Sequence, residues 1–139
     1  MIIYLDSTVL VAAVVEDEPC HDACLLLLRR KNIATWTHTL AEVFSTLTGG
    51  RLGTRVSPTV ANQLISAMVR RLRLIELSAS DVMLAIHQAD AAGVQGGALY
   101  DYLHVIAARK VDATELHSIN ARHFEAVTRS GGPKIVTPE

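Results

Sequence analysis

The chain has 139 residues, of which 50% are apolar and 4% aromatic, and its net charge at pH 7 is −1. This length predicts one domain over residues 1–139, with a core built mainly from aliphatic side chains. No apolar run reaches the roughly 18 residues that cross a bilayer, so we expect no membrane span. The near-zero charge lacks the basic excess of a typical nucleic-acid binder, although the cations fall in clusters that suit helix C-termini.

The cysteines and the first residues indicate an intracellular protein. Cys20 and Cys24 form neither a C-x-x-C motif nor a metal quartet, and two thiols on one helix face suit a reducing compartment. No basic region precedes the first apolar run, which we interpret as a strand and a helix rather than a signal peptide. We therefore expect a cytoplasmic protein.

Short apolar runs alternate with helical patterns along the first half of the chain. In chain order we predict a strand at 2–5, a helix from 8 to about 15, a helix at 19–28, a strand at 33–35, a helix from 39 to the glycine pair at 49–50, and a helix from Ser57-Pro58.

The second half continues the alternation. It predicts a strand at 72–77, a helix opened by a capping box at Ser78-Ala-Ser-Asp81, a glycine break at 93–97, a helix at about 99–110, a strand at 115–119, a short helix capped by Asn120, and a strand at 134–137. Strands that alternate with helices indicate an α/β fold, with a parallel sheet of four or five strands covered on both faces.

Four oxygen-bearing side chains fall at strand ends or helix starts. Asp6 and Asn120 follow the first and fourth strands, while Glu42 and Asp101 lie at the beginning of helices. Ligands of open parallel sheets bind outside the carboxyl ends of the strands, so these groups are expected in one cleft. Clustered carboxylates repel one another unless a cation binds, and oxygen ligands suit Mg²⁺ or Mn²⁺ rather than Zn²⁺.

Each of these side chains also has a structural interpretation. Asp6 and Asn120 are good helix caps, Thr39-x-x-Glu42 matches a capping box, and Asp101 would complement a helix dipole. Capping does not require carboxylates, however, and gives no reason for an acid directly after a buried strand. The joint placement therefore favours a metal site.

Four segments resemble the motifs of PIN domains, in the same order along essentially the whole chain. They are Leu5-Asp6-Ser-Thr-Val-Leu-Val, Leu40-Ala-Glu42-Val-Phe-Ser-Thr-Leu-Thr, Gly96-Gly-Ala-Leu-Tyr-Asp101-Tyr-Leu-His-Val-Ile-Ala-Ala, and Ser118-Ile-Asn120-Ala-Arg-His-Phe124. The second and third are the more specific. The length resembles that of the single-domain VapC-type toxins of type II toxin–antitoxin systems.

The resemblance implies a PIN-like three-layer α/β/α fold and a Mg²⁺-dependent endoribonuclease, neutralised by a small VapB-like antitoxin and assembled as a homodimer. Asp6, Glu42 and Asp101 would be metal-binding catalytic acids, and Asn120 an auxiliary ligand or a residue that orients water. Many members carry Asp at the position of Asn120, so the neutral amide puts a tightly held second metal in doubt. His123 lies where other members often carry an acid, so no fifth ligand is expected.

The expected chemistry is hydrolysis of an RNA phosphodiester. Bound Mg²⁺ would shield the phosphate charge and lower the pKa of the attacking water. Asp101 or Glu42 would accept its proton, and the sequence does not choose between them. Ser7 or Thr8 either positions water or phosphate or caps the first helical turn. His104, one turn past Asp101, either reaches the cleft or has a structural role.

Two other classes share some of these features. A catalytically weak PIN-like module would bind RNA or protein without cleaving, but the intact acids argue against it. A receiver-like or phosphatase-like domain also gathers acids around Mg²⁺, yet it needs a phosphorylatable Asp on a middle strand and a nearby Lys. Lys31, Lys110 and Lys134 do not follow strands in that way.

Two surfaces are candidates for protein partners. The helices at 39–48 and 58–70, preceded by Trp36, carry a wide apolar stripe, part of which would serve a homodimer unless the stripe is ordinary core packing. An antitoxin would place an Arg beside the acids and lay apolar residues along a groove of the first helices, unless these residues are simply core; the candidates are Val11, Val14, Leu27 and Leu28.

Overall fold

The structure is a computed structural model that describes residues 1–50, 55–128 and 132–139. Its strands form one parallel sheet of five strands in the order β3-β2-β1-β4-β5. They are β1 (Ile3–Leu5), β2 (Ile33–Trp36), β3 (Leu72–Ile75), β4 (Glu115–His117) and β5 (Lys134–Val136).

Helices cover both faces of this sheet, which confirms the predicted three-layer α/β/α architecture. The described ranges contain α1 (Ser7–Val14), α2 (His21–Leu28), α3 (Thr37–Thr48), α4 (Pro58–Val69), α5 (Ala79–Ala92), α6 (Ala98–Lys110) and α7 (Ala121–Val127). None of the helices in these ranges has the length and hydropathy needed to cross a membrane. The third and fourth strands end two residues earlier than expected, at Ile75 and His117.

The core has two halves because side chains alternate across the sheet. Ile3 and Leu5 of β1 face α1 to α4, whereas Tyr4 between them faces α5 to α7. Val11, Leu27 and Leu28 belong to the first half and are at least 92% buried. The sequence interpretation of these three residues as an open antitoxin groove is therefore wrong, because packing against the sheet uses their apolar surface.

One expected helix start is also wrong. Helix α3 begins at Thr37, with the extended residue Trp36 as its N-cap, because β2 runs directly into the helix. Thr39 is thus fully buried inside the helix and does not cap it. The capping box considered for Thr39-x-x-Glu42 does not form, so the Glu42 side chain does not cap this helix.

Two of the cation clusters stabilise helix ends. The Arg71 guanidinium donates to the carbonyl oxygens of Leu28 and Arg29, at 2.8 Å each, where α2 ends. The Lys110 ammonium, at the end of α6, donates to a carboxylate oxygen of Asp81 at 2.8 Å. Arg51, a member of a third cluster, lies outside the described residues.

Candidate active site

A crevice opens at the carboxyl edge of the sheet, beside β1. From β1 the sheet grows through β2 and β3 on one side and through β4 and β5 on the other, so the segments that follow β1 and β4 diverge. The resulting cleft has a volume of about 680 Å³. It is lined by every site residue that the sequence predicted, namely Asp6, Ser7, Thr8, Glu42, Asp101 and Asn120.

Asp6 both caps α1 and borders the cleft. Its Oδ1 accepts hydrogen bonds from the Thr8 hydroxyl at 2.6 Å and from the Val9 amide at 3.2 Å. The residue is only 3% exposed. Burial raises the pKa of this carboxyl above its ordinary value of 3.8, although hydrogen bonds from Ser118 and Thr8 oppose the shift. Ionised Asp6 is thus costly in the metal-free protein.

Glu42 is held from behind by a buried hydrogen-bonded chain. Trp36 N–H donates to the Tyr4 oxygen, which lies 2.6 Å from His104 Nδ1. His104 Nε2 lies 2.9 Å from Glu42 Oε1 and donates to it, because a carboxylate can only accept. In the neutral imidazole, Nδ1 then accepts from the Tyr4 hydroxyl. Because His104 is only 2% exposed, the bond fixes the direction of the Glu42 carboxylate.

The environment of Glu42 lowers its pKa. Burial disfavours ionisation, but the hydrogen bond from His104 and the electrostatic influence of His104 and His38, together with a hydrogen bond from Ser7, outweigh burial. Asp101 differs: burial raises its pKa, His123 and His104 oppose that shift, and the Glu42 charge adds to it. The cleft therefore contains one carboxyl with a lowered pKa, that of Glu42, and two with a raised pKa, those of Asp6 and Asp101.

Thr8 and Asn120 lie where the two diverging segments meet. The Thr8 hydroxyl gives its single proton to Asp6 and accepts from the Ile119 amide at 2.9 Å, so here it orients Asp6. Asn120 precedes α7 but its side chain makes no capping hydrogen bond, since its backbone lacks the extended geometry of most N-caps. The expectation that Asn120 caps this helix is wrong, and its exposed amide borders the cleft.

The oxygen donors around the cleft are of the kind that Mg²⁺ prefers, but they do not form a preformed binding site that encloses an ion. Within 1–50, 55–128 and 132–139, no three His, Cys, Asp or Glu side chains lie close enough to form a preformed metal-binding group. His104 engages one oxygen of Glu42, and the α1 cap engages one of Asp6. Mg²⁺ commonly binds through one or two carboxylates and keeps several waters, so oxygen donors around an open cleft fit it.

Sequence reasoning missed Tyr4, His38 and Ser118, and left the role of His104 open. Tyr4 carried a usable signal, because a tyrosine within a fully buried strand requires a hydrogen-bond partner. Its partner, His104, is 100 residues away along the chain, so no local pattern could identify it.

Solved structures share this fold. VapC20 of Mycobacterium tuberculosis, a sarcin–ricin loop cleaving toxin, is 15% identical with a TM-score of 0.71, over 94% of this chain and 99% of that one. VapBC2 from Rickettsia felis, bound to a DNA fragment from its promoter, gives 19% identity and a TM-score of 0.70 over 100% of both chains. A toxin–antitoxin complex from Klebsiella pneumoniae gives 17% identity and a TM-score of 0.65, over 99% of this chain and 98% of that one.

At these identities the likeness shows the fold alone. A search of curated protein sequences finds no significant match. A family profile for the PIN domain, in contrast, matches residues 3–129, which is nearly the whole chain. The chain therefore belongs to the PIN domain family.

Proposed function

We propose that this chain is a cytoplasmic, Mg²⁺- or Mn²⁺-dependent endoribonuclease, the toxin of a toxin–antitoxin pair. The observation that carries the proposal is that Asp6, Glu42 and Asp101 line one cleft at the switch point of a PIN fold. The similar VapC20 is a loop-cleaving toxin, which makes RNA the substrate class to test first.

The carboxylates would bind the metal ion and accept a proton. Burial raises the pKa of both Asp6 and Asp101, so a bound divalent cation would stabilise their ionised forms. When bound, Mg²⁺ would neutralise charge on the scissile phosphodiester and lower the pKa of the attacking water. Asp101 or Glu42 would accept the proton of that water, because both carboxylates line the cleft.

Neutral groups complete the cleft. The exposed Asn120 amide would orient water or act as an auxiliary ligand without adding charge. Ser7 lies at the start of α1 beside the acids, and its hydroxyl would position a water or a phosphate oxygen. Thr8 contributes indirectly, since its proton is used to orient Asp6.

The test is a cleavage assay on a panel of structured RNAs and mRNA, with and without EDTA. Asp6→Asn and Asp101→Asn should abolish cleavage while circular dichroism shows an unchanged fold, and Asp81→Asn, which removes a surface carboxylate, is the matched control. EDTA should stop cleavage, and Mg²⁺ should restore it. Cleavage that persists in EDTA, or activity and Tm that fall together in the Asp variants, would contradict the proposal.

One observation favours an alternative, a catalytically weak PIN-like module that binds RNA or protein. It is the lack, within the described ranges, of a preformed group of three metal-binding side chains. Such a module would bind RNA with equal affinity in EDTA and in Mg²⁺ and would release no product. The same assay, read by both binding and product formation, separates the two functions.

The proposal extends to an antitoxin, because one similar structure is a toxin–antitoxin complex. An Arg of the antitoxin would bind the cleft carboxylates in bidentate fashion and compete with Mg²⁺. Competition requires Mg²⁺ and antitoxin to weaken each other by the same factor, since linkage is reciprocal. Antitoxin binding measured by calorimetry across a Mg²⁺ series tests this, and an unchanged affinity would favour plain occlusion of the RNA path.

A homodimer remains part of the proposal. Phe44 on α3 and Val60 on α4 are 40% and 43% exposed, so the helix pair presents apolar surface. Trp36 is 8% exposed and contributes little to it. Sedimentation at micromolar concentration tests the dimer, and a monomer would count against it.

A further inference from the structure

Three aromatic rings lead from the core to the rim of the cleft. Trp36 is 8% exposed, and its ring centroid lies 4.7 Å from that of His38. His38 in turn stacks on Tyr100 at 5.6 Å, with 15° between the ring planes. Tyr100 is 51% exposed. We call Trp36, His38 and Tyr100 the aromatic ladder.

The ladder lies beside the acids. Tyr100 directly precedes Asp101 on α6, and His38 lies one helical turn before Glu42 on α3. His38 also lines the cleft, together with both carboxylates. Tyr100 itself is not among the residues that line the cleft, so a base stacked on it would lie at the edge of the cleft, with His38 between it and Glu42 and Asp101.

The ladder is also fixed in place. The Trp36 ring meets His104 edge-on at 5.4 Å and 89°, and His104 is hydrogen-bonded to Glu42. The buried end of the ladder is thus tied to the same side chain that orients the carboxylate. Fixing the buried end limits the freedom that the ladder loses when a ligand stacks on Tyr100.

A flat, half-exposed aromatic ring beside an acidic cleft suits a nucleobase. The carboxylates repel the RNA backbone, so affinity must come from elsewhere, and stacking on an aromatic ring accepts any base. His38 covers one face of Tyr100, and because Tyr100 is still 51% exposed, we take its outer face as the one open to a ligand.

We propose that the aromatic ladder is a nucleobase subsite, in which an unpaired base of the RNA stacks on the outer face of Tyr100 and sets the adjacent phosphodiester beside the carboxylates. This inference rests on the proposed ribonuclease function and names the group that selects where the strand is held. A base-paired, stacked nucleotide cannot reach this face, so the subsite favours unpaired RNA.

The test compares two probes: a short oligouridine with one central 2-aminopurine, and the same strand with an abasic ribose at that position. Binding is measured in EDTA, where no cleavage is expected. Repulsion by the carboxylates is then the same for both probes, so the ratio of their affinities isolates the base. The wild type should prefer the 2-aminopurine strand by roughly tenfold, the size of one base–aromatic stack, and should quench its fluorescence.

Substitutions at one position separate the ring from apolar bulk. Tyr100→Phe should keep the preference, whereas Tyr100→Leu and Tyr100→Ala should bind both probes equally. Leu26→Ala is the matched control, since Leu26 is 63% exposed on α2 outside the cleft and its loss should leave the preference intact. In cleavage assays, Tyr100→Ala should raise KM by a similar factor while kcat changes less.

Three outcomes are decisive. Equal binding of both probes by a wild type that cleaves RNA would overturn the subsite and leave the proposed function standing. A preserved preference and quench without any cleavage would support the subsite and contradict the proposed function. If Tyr100→Ala dissociates a dimer and leaves the preference unchanged, the ring covers a second copy of the chain and the subsite is overturned.

Discussion

Two segments of this chain have the same pattern, a hydroxyl residue followed three positions later by an acid. In Ser78-Ala-Ser-Asp81, Ser78 accepts from the Asp81 amide at 3.1 Å and Asp81 accepts from the Ser78 amide at 2.8 Å, which is a capping box. In Thr39-Leu-Ala-Glu42, neither reciprocal bond forms, and Glu42 faces the cleft instead. The same local pattern thus marks a structural acid in one place and a candidate catalytic acid in the other.

The element that precedes each segment explains the difference. Strand β3 ends at Ile75, so Ser78 is free to begin α5 as an extended N-cap. Strand β2 runs without a loop into α3, which starts at Thr37 and encloses Thr39. A capping box therefore forms only where its first residue lies outside the helix in an extended conformation. Where that residue lies inside the helix, as Thr39 does, the acid three positions later is free for another role.

Exchanging each acid for its amide should give the largest contrast. Glu42→Gln should lower kcat by about 10²-fold or more, the usual contribution of a catalytic acid or base, with little loss of stability. Asp81→Asn should keep full activity and lower Tm, because it weakens the capping box and the ion pair with Lys110. Cleavage rates and thermal melts of both variants measure the contrast.

The contrast fails if the two variants behave alike. A Glu42→Gln variant that melts early and retains its cleavage rate would mean that Glu42 is structural. Loss of activity in a well-folded Asp81→Asn variant would place an unrecognised role on α5.

His104 gives the next largest effect. Without it, Glu42 loses the donor that sets its direction, and loss of such an orienting partner typically costs about 10–100-fold in metal affinity or activity. His104→Ala should therefore weaken Mg²⁺ binding by this factor, measured by calorimetry, while His104→Gln, which retains an N–H donor, should recover part of it. Equal Mg²⁺ affinity in wild type and His104→Ala would show that Glu42 needs no orientation.

Local patterns predicted the fold well because the strands and helices here follow local rules. Buried apolar runs marked β1 and β2, the glycine pair at 49–50 ended α3, and the capping box opened α5. Position relative to strand ends and helix starts, together with the resemblance to PIN-domain motifs, was enough to place Asp6, Glu42 and Asp101 around one cleft.

What the sequence did not reveal depends on contacts between distant residues. His104 meets Glu42 across 62 positions and Tyr4 across 100, so their pairing exists only once the sheet has formed. The capping box at Thr39 fails for a related reason, since β2 continues directly into α3 without a loop. Local propensity predicts neither the pairing of His104 nor this direct connection.

A smaller effect is expected in the pH dependence of stability, which should have opposite signs for the buried Asp6 and the half-buried Asp81. The pKa of Asp6 is raised in the folded protein, so the folded state holds more protons than the unfolded state above the ordinary pKa of 3.8. The stability that Asp6 contributes is present below that value and is lost as the pH rises through the raised pKa. Asp81 has a lowered pKa, so its contribution is present above 3.8 and is lost as the pH falls.

Asp6→Asn tests the first of these signs, because Asn caps a helix as well as Asp does. Without metal, the variant should melt higher than the wild type at neutral pH and equally at pH values below about 3.8. Added Mg²⁺ should raise the Tm of the wild type only, since a ligand of the native state stabilises it. A variant that melts lower at every pH would show that capping, not charge burial, governs Asp6.

The smallest expected effect is a difference in the free energy of unfolding between variants of Ser78 and Thr39, the first residues of the two segments. Ser78→Ala removes an N-cap acceptor, so the free energy of unfolding should fall by about 1 kcal/mol with no change in cleavage. Thr39→Val removes a buried hydroxyl that has no hydrogen-bond partner among the described residues and keeps the size of the side chain, so the free energy of unfolding should not fall. Urea unfolding of both variants measures the difference. If Thr39→Val is the more destabilising of the two, then the Thr39 hydroxyl does bond within the folded protein, and the hydrogen-bonded chain behind Glu42 would extend from Tyr4 to Thr39.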